Sequence, residues 1–219
     1  MEIQLEGHAL HLLAEGAAFD PTTRTLFVAD LHLGKTTVFR EAGLALPDGP
    51  DATIVARLAR LIADTGAQTL TILGDVFHAR APGIEHTLAA WSSAHPQLRL
   101  RIVPGNHDRR IPWTEWLPDA GILAEGDRVG PWRVAHHPPG NAATITLCGH
   151  LHPGIAIGKA RQRKLRVPCF WMRGSAFVLP AFGEFTGLQL IDREPGDRVW
   201  IAANGKVVEL PTRGERNSG

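Results

Sequence analysis

TLFVADLH, residues 25–32, is the stretch from which the fold can be worked out. Residues 25–29 are an apolar run with strand propensity, and the run ends at Asp30, with His32 two positions further on. Residues two apart on an extended chain point the same way, so this carboxylate and this imidazole can reach one ion. An isolated D-x-H occurs by chance, so its meaning depends on whether the arrangement recurs.

The arrangement recurs four more times along the chain. Apolar runs at 69–73, 98–103, 132–135 and 144–148 end in GDVFH (74–78), PGNHD (104–108), HHP (136–138) and GHLH (149–152). In α/β sheets, ligands bind outside the carboxyl ends of the strands. The five loops are therefore predicted to converge on one site.

The five loops offer oxygen and imidazole donors and no thiolate. Such donors suit Mn²⁺, Fe or Zn²⁺ better than a cysteine-based structural zinc site. Seven donors exceed what one ion would take while leaving room for water, so we predict two ions that share a bridging carboxylate, an arrangement that promotes in-line displacement at phosphorus. The candidate ligands are Asp30, His32, Asp75, Asn106, one of His136 and His137, His150 and His152.

The rest of the chain predicts one further helix clearly and several strands. Asp51 is a candidate cap, Gly66 a candidate stop, and an apolar stripe runs between them. A weaker apolar stripe at helical spacing begins at Ile84 and predicts a second helix. Strands are expected near residues 3–12, and a hairpin turn at 204–205. We expect a single domain over residues 1–211, followed by a disordered polar tail at 212–219.

Composition describes an ordinary globular protein. The chain has 219 residues, is 44% hydrophobic and carries a formal net charge of +1, which excludes a protein that coats nucleic acid by bulk charge but allows a local basic patch. There is no apolar run of membrane-spanning length and no signal-peptide pattern, so we expect a cytoplasmic protein with no membrane partner. Cys148 and Cys169 are interpreted as buried thiols.

The ordered set DLH, GDVFH, GNHD, AHHP and GHLHP resembles the calcineurin-like metallophosphoesterase superfamily, over about residues 25 to 155. This resemblance implies an α/β fold, a four-layer αββα sandwich with a dinuclear metal site at the carboxyl ends of the strands. It also implies that Asp75 bridges the two ions. The implied ligands of the first ion are Asp30, His32 and His152, and those of the second are Asn106, His150 and, as in members with an HHPP segment, the first histidine, His136.

The same resemblance implies the catalytic groups. His107 would not be a ligand but would lie over the metals, oriented by Asp108, and would protonate the leaving oxygen or stabilise the transition state. A hydroxide held between the two ions would attack phosphorus directly, without a covalent enzyme intermediate.

Two further segments resemble a narrower group. ADLHLGK (29–35) and LPAFGEFTG (179–187) are similar to the PdeM family, the ligase-associated DNA damage response endonucleases of bacteria. One departure is Leu188, where a second glycine is expected. The likeness implies a Mn²⁺-dependent phosphodiesterase or nuclease that acts on DNA in company with a DNA ligase, a helicase and an exonuclease.

The substrate itself is less clearly indicated. Basic residues follow two of the loops and could bind flanking phosphates of DNA, or could instead protect an edge strand: Arg109, Arg110, Lys159, Arg161, Arg163, Lys164 and Arg166. Trp113, Trp116 and Trp171 could stack on bases, although core packing is their commoner use, and packing around the site is expected of Phe77, Phe182 and Phe185. A phosphatase or pyrophosphohydrolase of a small phosphorylated molecule, and a scaffold without turnover, are the alternatives. A homodimer is left open.

Overall fold

The computed structural model describes residues 1–35, 50–78, 84–140, 142–158, 164–184, 186–203 and 205–212. Two β-sheets pack face to face, as the resemblance implied. The first sheet has seven strands in chain order, antiparallel up to the fourth and parallel from there on. They are β1 (Glu2–Leu5), β2 (His8–Leu12), β3 (Ala18–Asp20), β4 (Thr25–Val28), β5 (Thr69–Leu73), β6 (Arg99–Val103) and β7 (Gly121–Ile122).

The second sheet has nine strands, and its order is β14-β11-β12-β13-β10-β9-β8, with β15 paired to β12 and β16 to β15. Strand β10 lies parallel to both of its neighbours, β9 and β13. The strands are β8 (Arg128–Val129), β9 (Trp132–Val134), β10 (Thr146–Cys148), β11 (Pro153–Ile157), β12 (Leu165–Arg173), β13 (Ala176–Val178), β14 (Gln189–Leu190), β15 (Arg198–Ala203) and β16 (Lys206–Glu209).

The continuous apolar runs arise because strands of the first sheet are buried on both faces. Along β4, Leu26 and Val28 pack toward the helices, whereas Phe27 packs toward the second sheet. Side chains alternate between the faces of a strand, so a strand with helices on one side and a sheet on the other needs apolar residues at every position. The predicted strands at 25–29, 69–73, 98–103, 132–135 and 144–148 are confirmed to within two residues at each end.

Three helices are described: α1 (Pro50–Thr65), α2 (Ile84–Ser93) and α3 (Trp113–Trp116). The predicted stripe of α1 is confirmed, since Ile54, Leu58 and Leu61 are buried against the first sheet. The predicted cap is wrong. The helix begins at Pro50, whose fixed φ suits a first helical position, so Asp51 lies within the first turn and its Oδ1 accepts the N–H of Gly34 at 3.0 Å.

All three described helices cover the outer face of the first sheet. The outer face of the second sheet carries a smaller apolar cluster around Cys148 and Val178. The described part of the chain therefore contains three of the four layers that the resemblance implied. Both cysteines are buried and unbridged, as predicted.

The structure also bears on the predicted hairpin, the C-terminal tail and the absence of a membrane-spanning segment. The hairpin between β15 and β16 is confirmed, with Ala203 paired to Lys206, although residue 204 lies outside the described residues. Residues 213–219 of the predicted tail also lie outside them, and the single domain over 1–211 stays a prediction. Of the described helices, none combines the length and the apolar character that a membrane crossing requires.

A buried hydrogen bond joins the two sheets. Nε1 of Trp132, on β9, donates to Oδ2 of Asp20, on β3, at 2.8 Å. The same carboxylate also accepts the N–H of Thr22 at 2.8 Å and the hydroxyl of Thr23 at 2.8 Å, so it orders the turn before β4. Because both partners are buried, the bond has no water to replace it.

We therefore expect Trp132→Phe to lower the free energy of unfolding by about 1–3 kcal/mol more than a matched tryptophan replacement, because it leaves a buried carboxylate oxygen short of a donor. Urea denaturation measures the difference. Trp91→Phe is the control, since Trp91 is similarly buried and its Nε1 has no hydrogen-bond partner among the described residues. Equal losses in the two variants would contradict the expectation.

Candidate metal centre

The five loops meet at the carboxyl ends of the parallel strands, and Asp75 lies at the middle of the cluster. Oδ2 of Asp75 is 3.9 Å from Nε2 of His32 on one side and 3.6 Å from Nε2 of His136 on the other. These imidazoles come from opposite sheets. A carboxylate oxygen so placed can bridge two ions, which is the position that the resemblance implied for Asp75.

The first ligand group consists of Asp30, His32 and His152. Nε2 of His32 and Nε2 of His152 lie 3.2 Å apart, and Nε2 of His152 is 3.6 Å from Oδ1 of Asp30. Ligand atoms of these three side chains lie within 4.8 Å of one another. The spacing suits coordination of one ion.

The second group lies on the other side of Asp75. Nε2 of His136 and Nδ1 of His150 are 3.1 Å apart. His137 lies further out, and its Nε2 is 3.0 Å from Oδ1 of Asn106. Ligand atoms of His136, His137 and His150 all lie within 4.8 Å of one another. His136 is fully buried and faces Asp75, whereas the side chain of His137 is 45% exposed, and this difference favours His136 as the ligand.

The ligand loops have an unusual backbone. Residues with positive φ include Asp30 at 53°, His32 at 48°, Asp75 at 46°, His150 at 72° and His152 at 46°. This left-handed region is unfavourable for residues with a side chain, and such strain concentrates at functional sites because the surrounding structure has to maintain it. Five of the seven predicted ligands carry it.

Glycines allow the loops to approach this closely. A Cβ at Gly74 would clash with the ring of His136, and one at Gly105 would clash with Asp75. A Cβ at Gly149 would lie 2.7 Å from Oδ2 of Asp30. The glycines that precede three of the five loops therefore make room for a candidate ligand from another loop.

Hydrogen bonds leave several ligand nitrogens free to face an ion. Nδ1 of His136 donates to the carbonyl of Leu73 at 3.1 Å, and Nδ1 of His152 to the carbonyl of Thr186 at 3.2 Å. In a neutral ring, the lone pair then lies on Nε2, which faces the cluster. Burial, and after it repulsion from the charged form of His152, lowers the pKa of His32 to about 2, which favours the neutral form of the His32 ring.

The residues present fit two divalent ions. Asp30 is fully buried and its Oδ1 has no hydrogen-bond partner among the described residues, and Asp75 is nearly as buried. A buried carboxylate without compensation is costly, and a cation removes the cost. The chemistry of the donor set, carboxylate with imidazole, suits a divalent transition metal.

His107 lies at the open side of the cluster. Its ring centroid is 5.2 Å from that of His32, and its Nε2 is 4.0 Å from Oδ2 of Asp75. Its Nδ1 is 2.7 Å from the carbonyl of His78, and its side chain is 40% exposed. The ring therefore faces both the metal positions and solvent.

Asp108 does not orient the His107 ring, so that part of the prediction is wrong. Asp108 is buried, and its carboxylate accepts the N–H of Gly105 at 2.9 Å, Val76 at 3.1 Å and Phe77 at 3.2 Å. Burial raises the pKa of the Asp108 carboxyl, although these backbone donors act in the opposite direction. Asp108 joins the second and third loops, and the carbonyl of His78 orients His107 in its place.

Two polar residues of the site were not assigned from the sequence. His78 belongs to the GDVFH loop, and its ring stacks on His107 at a centroid distance of 5.0 Å. Glu125 accepts the backbone N–H of His136 at 3.0 Å and lies 2.7 Å from Nδ1 of His137. His78 belongs to the GDVFH motif, so its place at the site could have been predicted from the sequence. No sequence feature near Glu125 marks that residue as part of the site.

The predicted substrate contacts are only partly described. Arg109 and Arg110 are exposed directly after the GNHD loop, and Lys164 and Arg166 are exposed on the β11–β12 hairpin. Lys159, Arg161 and Arg163 lie outside the described residues, as does Phe185.

The aromatic residues mostly have packing roles. Phe77 and Phe182 are buried next to the site, as predicted. Trp113 and Trp116 pack on the Phe77 ring at centroid distances of 5.9 and 5.4 Å. The guanidinium of Arg173 covers Trp171 at 4.6 Å. Core packing is therefore the observed use of Trp113 and Trp116.

Comparison with known proteins agrees with this geometry. The sequence profile of the calcineurin-like phosphoesterases matches residues 23–168. The crystal structure of Pseudomonas putida nuclease MPE is similar to this chain with a TM-score of 0.81 and 34% sequence identity, covering 96% of this chain and 99% of that one.

Two other solved structures are more distant. YfcE, a phosphoesterase from E. coli, gives a TM-score of 0.44 at 17% identity, covering 86% of this chain and 99% of that one. The protein of unknown function AQ665 from Aquifex aeolicus gives 0.39 at 16%, covering 58% and 77%. A search of curated proteins gives no match.

The fold and the site together define a metal-dependent enzyme that hydrolyses phosphoesters. The chain belongs to the calcineurin-like phosphoesterase family. Within that family it is similar to the nuclease MPE along nearly its whole length, which agrees with the likeness to PdeM found in its motifs.

If Asp75 bridges the two ions, Asp75→Asn should lower the affinity for Mn²⁺ at both positions, because an amide lacks the charge that both ions share. We expect binding weaker by at least tenfold at each site, measured by isothermal titration calorimetry. His8→Ala, which replaces an exposed histidine on β2, should bind as the wild type does. Two unaltered binding events in Asp75→Asn would exclude the bridging role.

Proposed function

We propose that this protein is a nuclease that hydrolyses phosphodiester bonds in DNA, with Mn²⁺ as its metal. The observation that carries the proposal is the 34% identity to a nuclease over 96% of the chain, combined with a complete set of candidate ligands. The position of the site adds support. Asn106 and His107 are exposed, so the centre opens onto a surface that a polymer could cross, and Arg109 and Arg110 are exposed beside it.

The residues suggest how the reaction proceeds. When bound by these residues, two divalent ions would supply the activation of a water and the neutralisation of charge at the phosphoryl oxygens. The proposed ligands of these ions are Asp30, His32, His152, Asp75, Asn106, His136 and His150.

His107 is the proposed general acid. With its Nδ1–H directed at the carbonyl of His78, the protonated ring turns Nε2–H toward the cluster, where it can give a proton to the leaving oxygen. His78 and Asp108 act on it indirectly, the first by fixing the ring and the second by fixing the loop that carries it.

A place in DNA damage response, alongside a DNA ligase, a helicase and an exonuclease, belongs to the same proposal. Its support is the likeness of ADLHLGK and LPAFGEFTG to the PdeM family, and the cytoplasmic location is proposed with it. Fe and Zn²⁺ are alternatives to Mn²⁺ that the ligands would also accept.

The substrate proposal is tested by comparing rates on single-stranded DNA, duplex DNA, bis-p-nitrophenyl phosphate and p-nitrophenyl phosphate in the presence of Mn²⁺. We expect cleavage of DNA and of the diester, and slower turnover of the monoester. Turnover of the monoester with no cleavage of either DNA would indicate a phosphatase or pyrophosphohydrolase of small molecules, and absence of all turnover would indicate a scaffold.

The acid role predicts a dependence on the leaving group. His107→Ala should lower kcat on DNA by about 10²–10⁴-fold, the usual contribution of a positioned acid. Turnover of bis-p-nitrophenyl phosphate should fall far less, because p-nitrophenolate leaves without a proton. Equal losses on the two substrates would show that His107 acts in some other way.

The basic residues after the GNHD loop predict a salt effect. Replacing Arg109 and Arg110 together by Gln should raise KM for single-stranded DNA and reduce the slope of log affinity against log salt by about 0.7 per lost phosphate contact. The matched control is Arg128→Gln, an exposed arginine on β8. An unchanged slope in the double variant would remove these residues from the binding surface.

A further inference from the structure

A segment outside the metal motifs contacts the first ligand group through its backbone. We call residues 179–184 and 186–187 the brace. The N–H of Phe182 donates to the carbonyl of Ala29 at 2.8 Å, and the N–H of Gly183 donates to the carbonyl of Asp30 at 3.0 Å. A Cβ at Gly183 would clash with the carbonyl oxygen of Leu31, so only glycine permits this approach.

The brace also reaches the other end of the same group. The carbonyl of Thr186 accepts the Nδ1–H of His152 at 3.2 Å, which leaves Nε2 of that ring to face Asp30. Just beyond the brace, the N–H of Gln189 donates to the carbonyl of His152 at 3.0 Å. Asp30 and His152 are distant in sequence, and one short segment fixes both.

Arg57 holds the brace in place from helix α1. Its Nη2 donates to the carbonyl of Phe182 at 3.0 Å and to the carbonyl of Glu15 at 3.1 Å. Its guanidinium lies over the Phe182 ring, 4.1 Å from the centroid, and Nη1 is 3.9 Å from Oε1 of Glu184. The Arg57 side chain is only 26% exposed. One planar cation therefore engages a carbonyl, a ring and a carboxylate of the brace.

We propose that Arg57 is a positioning residue for the first metal ion, acting through the brace on Asp30 and His152. Its described contacts are with the brace and with Glu15, so any effect on the ion is transmitted by Phe182 and Gly183. The inference rests on the proposed ligand assignment and is independent of DNA as the substrate. Neither the sequence motifs nor the comparisons assign a role to Arg57.

The expected loss of Mn²⁺ affinity can be estimated from other residues that orient metal ligands. Partners that orient a metal ligand typically contribute about 10–100-fold in metal affinity when they are removed. Loss of Arg57 leaves the carbonyls of Phe182 and Glu15 without their donor, and the brace can then move away from Asp30 and His152. In the part of the chain that the structure describes, no hydrogen bond joins His136 or His150 to the brace, so the second ion should be affected much less.

The experiment is a Mn²⁺ titration of Arg57→Met, Arg57→Lys and Arg60→Met by calorimetry, on proteins shown to be folded by circular dichroism. Arg60 is the matched control, since it lies on the same helix and pairs with Oε1 of Glu15 at 2.9 Å but is 60% exposed. We expect Arg57→Met to weaken one of the two binding events about 10–100-fold. Arg57→Lys should be intermediate, and Arg60→Met should match the wild type.

A double-mutant cycle identifies which ion is affected. With His152→Ala already in place, Arg57→Met should add little to the loss of Mn²⁺ affinity, because both changes act on the same ion. With His150→Ala in place, the two losses should fall on different ions and add. The electron paramagnetic resonance signal of the coupled Mn²⁺ pair gives a second readout, and we expect it to require more Mn²⁺ in Arg57→Met.

The outcomes separate this inference from the ligand assignment. If Arg57→Met binds two Mn²⁺ as the wild type does, or if both binding events weaken equally, the positioning role is refuted. If the wild-type protein binds fewer than two Mn²⁺ ions, the proposed ligand assignment is wrong, and the positioning role that rests on it is wrong as well. Should Arg57→Met not fold, Arg57→Lys carries the same comparison, and wild-type binding in that variant would refute the specific need for a guanidinium.

Discussion

Two carboxylates buried among histidines are the feature around which this structure is organised. Asp30 and Asp75 are almost inaccessible to water, and one oxygen of Asp30 accepts no hydrogen bond from the described residues. Burying such groups is unfavourable unless a cation compensates their charge. The remaining features of the site, including the strained turns and the glycines that admit them, bring imidazole nitrogens to the same point.

Strain in the ligand loops is sustained by hydrogen bonds between loops. Asp108 accepts three backbone N–H groups from the second and third loops, and the N–H of His150, in the fifth loop, donates to Oδ2 of Asp30 at 2.9 Å. Each loop therefore depends on another for its conformation. This interdependence explains why the buried carboxylate of Asp108, next to His107 in sequence, accepts hydrogen bonds from the backbone and not from the His107 ring.

The candidate ligands could be predicted because each of the five loops that carry them follows a strand. Parallel strands of α/β sheets present their carboxyl ends at one edge, so Asp30, Asp75 and Asn106 had to come close together once their strands were recognised. Hydrogen-bond partners were harder to predict, because they depend on which backbone groups of other loops point inward. The role expected of Asp108 was wrong for that reason, and Glu125 was missed although it contacts both histidines of the HHP segment.

The sequence by itself determined the strands and the set of candidate metal ligands, because apolar runs buried on both faces and the polar residues that end them are local patterns. The two-sheet fold was implied by the family resemblance of those motifs. Only the tertiary structure decided which nitrogen of each histidine faces the cluster, what orients His107 and how Arg57 reaches the first ligand group. Those relations join residues far apart in the chain. They are set by the packing of one sheet against the other and of helix α1 against the first, which no local pattern encodes.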